Sequence, residues 1–165
     1  NGLRLNVNYT YLNESDKKET VSQFSTDLQF YIQLSTNPKL VLANNVGYQK
    51  SSGDLQFHQY ADLGNLTNLR GFRNNRFRGE QAFFHNVDLR MHLFKWRNNI
   101  LPMDVGIVGG YDSGRVWLDS ENSDQWHNST TIGLWMDVLG AAILQPYYSF
   151  NDDGDSFSLR LGFSF

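Results

Sequence analysis

An all-β fold, an antiparallel transmembrane β-barrel of about eight strands, is predicted by three observations on the sequence. Apolar and polar residues alternate with a period of two along most of the chain. The alternating runs are about 10 to 14 residues long, where strands of globular domains have about 5 to 6. Short connections at one end of these runs take turns with longer polar ones at the other.

The elements follow in order. From Gly2 to Leu12, Leu3, Leu5, Val7, Tyr9 and Tyr11 fall on one face, with Arg4, Asn6, Asn8 and Thr10 on the other. Val21 to Leu34 repeats the pattern, setting Phe24, Leu28, Phe30, Ile32 and Leu34 against Ser25, Asp27, Gln29 and Gln33. Ser35-Thr36-Asn37-Pro38 is a turn signal and leads to a third strand from about Leu40 to Gln49. Ser51-Ser52-Gly53-Asp54 then opens a long irregular stretch that lasts until Glu80, so that a loop is expected over about 51–80. Strands resume from about Gln81 to Phe94, Met103 to Trp117, Thr130 to Asp137, Ala141 to Phe150 and Ser156 to Phe165. The alternation is weakest between Thr130 and Phe150 and clearest in the last strand, where Phe157, Leu159, Leu161, Phe163 and Phe165 oppose Ser158, Arg160, Gly162 and Ser164. No helix of useful length and no separate linker is predicted.

Composition narrows the class. The 165 residues include 12 Phe, 8 Tyr and 4 Trp beside a charged share of only 19%, which favours a β protein with large amphipathic side chains. No run approaches the roughly 18 apolar residues of a membrane-spanning helix. A net charge of -3 gives no electrostatic case for nucleic acid, and the absence of Cys excludes a disulfide scaffold or a thiolate metal site. The chain opens on Asn1, without an initiator Met or a signal peptide, and reads as a mature or truncated fragment of something larger. A soluble lipocalin-like binder of this length is the alternative, with the same apolar rows pointing inward. Aromatic residues clustered near strand ends favour the membrane barrel.

One constellation stands out. Leu69-Arg70-Gly71-Phe72 lies in the long loop, Asp88 in the next strand, and Gly110-Tyr111-Asp112-Ser113-Gly114 in the one after. A buried arginine needs a carboxylate. By the two-residue period, Asp88 shares its face with Phe84, Asn86, Arg90 and His92, and Asp112 shares its face with Asp104, Gly106, Val108, Gly110 and Gly114. Both faces are the polar ones and are expected to look into the lumen. Strand glycines mark close approach of another backbone, so Gly106, Gly110 and Gly114 leave room for an inserted loop. Gly71 permits a tight backbone at the loop tip, and Phe72 packs inside. The plainer reading takes Arg70, Arg73, Arg76 and Arg78 as a solvated basic loop, or as a site for phosphate or acidic lipid headgroups.

Catalysis is the competing class, because some outer-membrane barrels are hydrolases. His58, His85, His92 and His127 have Ser and Asp nearby, but no His-Glu-x-x-His, nucleophile elbow, phosphate-binding glycine loop or Cys/His zinc pattern occurs. Asp152, Asp153 and Asp155 around Gly154 offer an acidic hairpin for calcium, which a polar turn explains equally well. Neither an enzyme nor a cofactor or metal site is expected.

Together, the loop tetrapeptide, Asp88, Gly110-Tyr111-Asp112-Ser113-Gly114-Arg115-Val116-Trp117 and the terminal aromatic strand resemble the outer-membrane assembly and two-partner-secretion superfamily of BamA, TamA and FhaC, with its bacterial surface antigen barrel domain. Family barrels have sixteen strands, so the resemblance implies that residues 1–165 are strands nine to sixteen of one barrel domain. The N-terminal strands and POTRA domains would lie outside this chain. It also implies that the loop folds back into the lumen, where Arg70 meets Asp88 and Asp112 on the wall. Two positions differ from the family pattern. Gly64-Asn65 replaces a glycine pair, and Gly110 replaces an inward aromatic. Gly162, Phe163 and Phe165 match the terminal strand that serves as an assembly signal. The implied role is BamA- or TamA-like insertion of β-barrel proteins, with a two-partner-secretion pore as the alternative. Implied partners are outer-membrane lipids, unfolded outer-membrane or secreted polypeptides and accessory assembly proteins, in the outer membrane of a Gram-negative-type bacterium.

Overall fold

A computed structural model describes residues 1–14, 19–98, 101–118 and 124–163. Ten strands appear among them: β1 (Gly2–Glu14), β2 (Glu19–Thr36), β3 (Lys39–Gly53), β4 (Ala61–Leu63), β5 (Phe77–Gly79), β6 (Gln81–Trp96), β7 (Met103–Trp117), β8 (His127–Val138), β9 (Ala142–Asn151) and β10 (Gly154–Phe163). Eight of them form one sheet in the order β1-β2-β3-β6-β7-β8-β9-β10, every neighbour antiparallel. The sheet is therefore a meander. Each strand of this sheet pairs with the next sheet strand along the chain, and among the described residues the segment between β3 and β6 is the one that adds strands outside it.

Side-chain chemistry decides which face is outside. Leu3, Leu5, Val7, Tyr9 and Tyr11 of β1, Ile132 and Leu134 of β8, and Phe157, Leu159 and Leu161 of β10 are all exposed. The opposite face is polar and holds the buried Asn86, Asp88, Asp112, Ser129, Thr131 and Ser149. An apolar exterior around a polar interior is the arrangement of a membrane barrel and the inverse of a lipocalin. Aromatic contacts gather at the loop end of the outer face. Phe83 meets Trp126, Tyr148 meets Phe150, and Arg115 lies over Trp117. Trp96 and Phe94 stand exposed at the turn end, giving a second aromatic belt.

β1 and β10 are the two edges of the sheet and do not pair with each other. Arg4 of β1 and Arg160 of β10 nevertheless border the same cavity, so the sheet curls into a trough with its polar face inward.

The segment expected to be irregular has structure of its own. β3 runs on to Gly53, taking Ser51 and Ser52 into the sheet. Phe57–Gln59 make a single 3-10 turn, and β4 and β5 pair as a three-residue hairpin, Ala61 to Gly79 and Leu63 to Phe77. The hairpin escaped sequence reading because three residues are too few to display a period. Ala61, Leu63, Leu69 and Phe72 pack with Ala82 and Phe84 of β6 into a small apolar core inside the trough. Gly47 of β3 makes room for it, since a Cβ there would collide with the Phe84 ring.

Candidate functional site

The segment between β4 and β5 drops into the trough because its own side chains bind its backbone. Asn65 Oδ1 accepts from the backbone N–H groups of Thr67 and Asn68 (2.7 and 3.0 Å), closing an Asx turn. Asn68, itself buried, accepts from Gly64 N–H through Oδ1 (3.1 Å) and donates from Nδ2 to the Asp62 carbonyl (3.0 Å). Asn86 of β6 then donates from Nδ2 to the Asn68 carbonyl (2.8 Å), tying the turn to the wall. Gly64 adopts φ +100°, and a Cβ there would meet the backbone of Arg73 and Arg76, so glycine is required before Asn65.

This scaffold delivers Arg70 to two carboxylates. Arg70 donates to Asp112 three times, from its backbone N–H to Oδ2 (2.9 Å), from Nε to Oδ2 (2.8 Å) and from Nη2 to Oδ1 (2.5 Å). Nη2 also donates to Asp88 Oδ1 (2.7 Å). Asp112 is wholly enclosed and Arg70 is 9% exposed. Burial works against the Arg70 charge, but the hydrogen bonds and field of Asp112, followed by those of Asp88, outweigh it and push its pKa above the ordinary value. Asp88 holds a second arginine as well, since Arg90 Nη2 donates to its Oδ2 (2.9 Å).

Register explains why these groups meet. Asp88 pairs with Gly110, and Asn86 pairs with Asp112, so the carboxylates come from adjacent rungs of neighbouring strands. Gly110 lies between them. A Cβ on it would stand 2.5 Å from Asp88 Oδ1, 2.6 Å from Arg70 Nη2 and 2.6 Å from Thr131 Oγ1. The guanidinium thus occupies the space that a side chain at position 110 would otherwise fill. A Cβ on Gly114 would lie 2.9 Å from Leu63 Cδ1 and 3.6 Å from Leu69 Cδ1. Gly106 serves a different neighbour, the indole of Trp135 on β8.

At the tip, Gly71 has φ +88°, with Ser149, Asn151 and Ser129 within 3.0 Å of where a Cβ would be. Its carbonyl accepts from Ser156 Oγ of β10 (3.1 Å). Phe72 meets Phe77 edge-on (5.2 Å between centroids) and also His127, while His127 stacks on Phe77 at 3.6 Å. Beyond the tip Arg76 Nε donates to Asp153 Oδ2 (2.6 Å) in the β9–β10 turn, and this exposed bond holds the Asp153 carboxyl below the usual range.

The structure therefore brings Leu69, Arg70, Gly71, Phe72, Asp88, Gly110, Asp112 and Gly114 into one site. Gly162 and Phe163 lie far along β10, with open space beside Gly162, and Phe165 is outside the described residues. The four histidines do not converge. His58 is in the 3-10 turn, His85 faces outward against Asn44, His92 approaches Asp104 at the turn end, and His127 stacks with Phe77. Among the described residues no group of three acidic or histidine side chains is placed to hold a metal, and Asp153 pairs with Arg76 instead. Sequence reasoning passed over Asn68 and Leu63, and it placed Asn86 beside Asp88 without a role. An Asn three residues after another Asn in a glycine-containing loop was the available sign, through Asx-turn chemistry.

The family model described as haemolysin secretion/activation protein ShlB/FhaC/HecB matches residues 4–142, which contain the loop and both aspartates. No curated protein and no solved structure matches the chain.

Proposed function

The chain belongs to the haemolysin secretion/activation family of ShlB, FhaC and HecB, and from that premise we propose that it forms part of an outer-membrane barrel that exports a partner polypeptide. Arg70, docked between Asp88 and Asp112 on the polar face of a sheet with an apolar exterior, carries this reading. A plug fixed by ion pairs fits a conduit that must stay sealed when idle and open for a chain. In this reading the eight strands of the large sheet are strands nine to sixteen of a sixteen-stranded barrel, and POTRA domains and the other strands lie elsewhere in the protein. Outer-membrane lipids cover the exposed apolar rows. The role is non-enzymatic.

A BamA- or TamA-like assembly role is the second reading. In that role the edge of a barrel strand templates an incoming strand by backbone hydrogen bonds. The family match favours export. Comparing cells with and without the gene separates the two. Export predicts that one or a few polypeptides disappear from the medium while other outer-membrane proteins keep their levels. General depletion of β-barrel proteins would instead support assembly.

A further inference from the structure

The buried Ser51 and Asp112 mark the inward rows of β3 and β7, so the alternate positions of these strands look outward. From β3 to β8 the outward rows are apolar or neutral except at two positions among the described residues, Lys50 of β3 and Arg115 of β7. Both lie at the loop end, on adjacent outward rungs. Lys50 pairs with Gln81 and Gln81 with Trp117, while Tyr48 pairs with Phe83 and Phe83 with Arg115. These strands have paired neighbours on both sides, so the surface they form is complete whatever lies beyond β1 and β10. Lys50 is exposed, and its ammonium makes no hydrogen bond or ion pair among the described residues. The Arg115 guanidinium lies over the Trp117 ring, 4.9 Å from its centroid, and Nη2 donates to Asp124 Oδ1 (2.5 Å). Asp124 is 87% exposed, and an ion pair so open to water holds its partners weakly. Between the two cations Tyr48 Oη donates to Gln81 Oε1 (2.8 Å), which leaves the amide N–H groups of Gln81 as further donors.

Charge on the lipid face of a barrel is costly at mid-depth and nearly without cost at the interface. Tryptophan marks the headgroup level of a membrane, so Trp117 and Trp126 set Lys50 and Arg115 at that level. An outward cation there meets the phosphate of a lipid headgroup. Arginine grips phosphate with a planar fork, and lysine attracts it as a point charge. Two strand spacings put the two residues about 10 Å apart across the sheet, so both long side chains close on a phosphate lying over Gln81 and Phe83. We propose that Lys50 and Arg115 bind the phosphate of a phosphorylated lipid in the leaflet at the loop end of the barrel. The inference rests on the outer-membrane reading and deepens it by naming the headgroup chemistry of the lipid that covers this part of the wall.

The test uses the full-length protein in a neutral detergent with dioleoyl phosphatidic acid, and native mass spectrometry counts the lipid retained. K50Q/R115Q is expected to weaken retention by at least about tenfold. K50R/R115K should keep most of it, and dioleoyl phosphatidylcholine, whose phosphate is covered by choline, should be retained poorly by the parent. K39Q/R97Q removes two exposed cations at the turn end and should bind as the parent does. Unchanged retention in K50Q/R115Q overturns the proposal, and so does an equal loss in K39Q/R97Q, which would mark attraction by net charge alone. Displacement of the lipid by inorganic phosphate at equal concentration would mark a site for free phosphate and also overturns it. Heat-modifiable migration checks folding of each variant, and K50Q alone carries the comparison if the double variant does not fold. A parent that stays soluble without detergent sinks the membrane reading. A parent that needs detergent but loses no lipid in K50Q/R115Q sinks the site alone.

Discussion

Arg70 and Asp112 have little freedom to be replaced, because each bond between them uses a different feature of arginine. The backbone N–H, Nε and Nη2 of Arg70 all reach one enclosed carboxylate, while Nη2 also reaches Asp88. Lysine presents a single point charge on a flexible stem and cannot satisfy both aspartates in this geometry. Removing one partner of a buried pair costs about 3 to 5 kcal/mol, less where water enters. We therefore expect R70A to lower the temperature at which the folded band converts to the unfolded one on gels, with R70K recovering only part of the loss. Gly110 offers a test that leaves every charge in place. G110A pushes a methyl group onto Arg70 and Asp88, whereas Gly109, next along the strand, has nothing within 4 Å of a Cβ. G110A should loosen the loop and G109A should not, as read by hydrogen exchange of the loop amides. Both aspartates were legible in the sequence through the period of two. Their shared arginine was legible through the family motif that Leu69-Arg70-Gly71-Phe72 resembles, with which the inward glycines beside Asp112 agree, although one of these, Gly106, accommodates Trp135 instead.

At the scale of elements, the loop is held at three depths: by Asn68 and Asn86 near the wall, by Arg70 in the centre, and by Arg76 with Asp153 at the surface. The surface clasp responds to pH. Because the Arg76 hydrogen bond lowers the Asp153 pKa in the folded state, its stabilisation is present above the ordinary carboxylate value of about 3.9 and is lost as pH falls through the lower folded value. Spin labels at N74C and D152C should move apart as pH falls from about 6 through that lower folded value in the parent, whereas D153N should show the wider separation throughout. At the tip, G71A forces a side chain into positive φ against Ser149 and should release Phe72 from Phe77, seen as faster exchange at residues 70–77. Strand positions were readable because each strand exposes one face to an apolar and the other to a polar surround. Between Thr130 and Phe150 the signal weakened where Gly133 and Pro146 interrupt it and Tyr147 turns an apolar ring into the polar interior. The β4–β5 hairpin left no period at all, since it is held by contacts with Ala82 and Phe84 that are distant in sequence.

For the whole molecule, the order of the sheet and the exposed rows of Leu, Ile, Tyr and Phe describe a wall that requires lipid on one side and water on the other. Replacing Leu5 or Leu161, each more than 60% exposed, with arginine should impair membrane insertion by about 2 to 4 kcal/mol near mid-depth. The equivalent change at lumenal Asn6 should be tolerated. Fluorescence-detected folding into lipid vesicles reads the difference. The proposed role of the loop connects this wall to transport, and the most direct measurement of it is export of the partner polypeptide by cells carrying R70A, D112A or both changes. If the Arg70–Asp112 contact is the working unit, the double variant exports no less than the weaker of the two single variants. Losses that multiply in the double variant, or full export by R70A, would contradict the account.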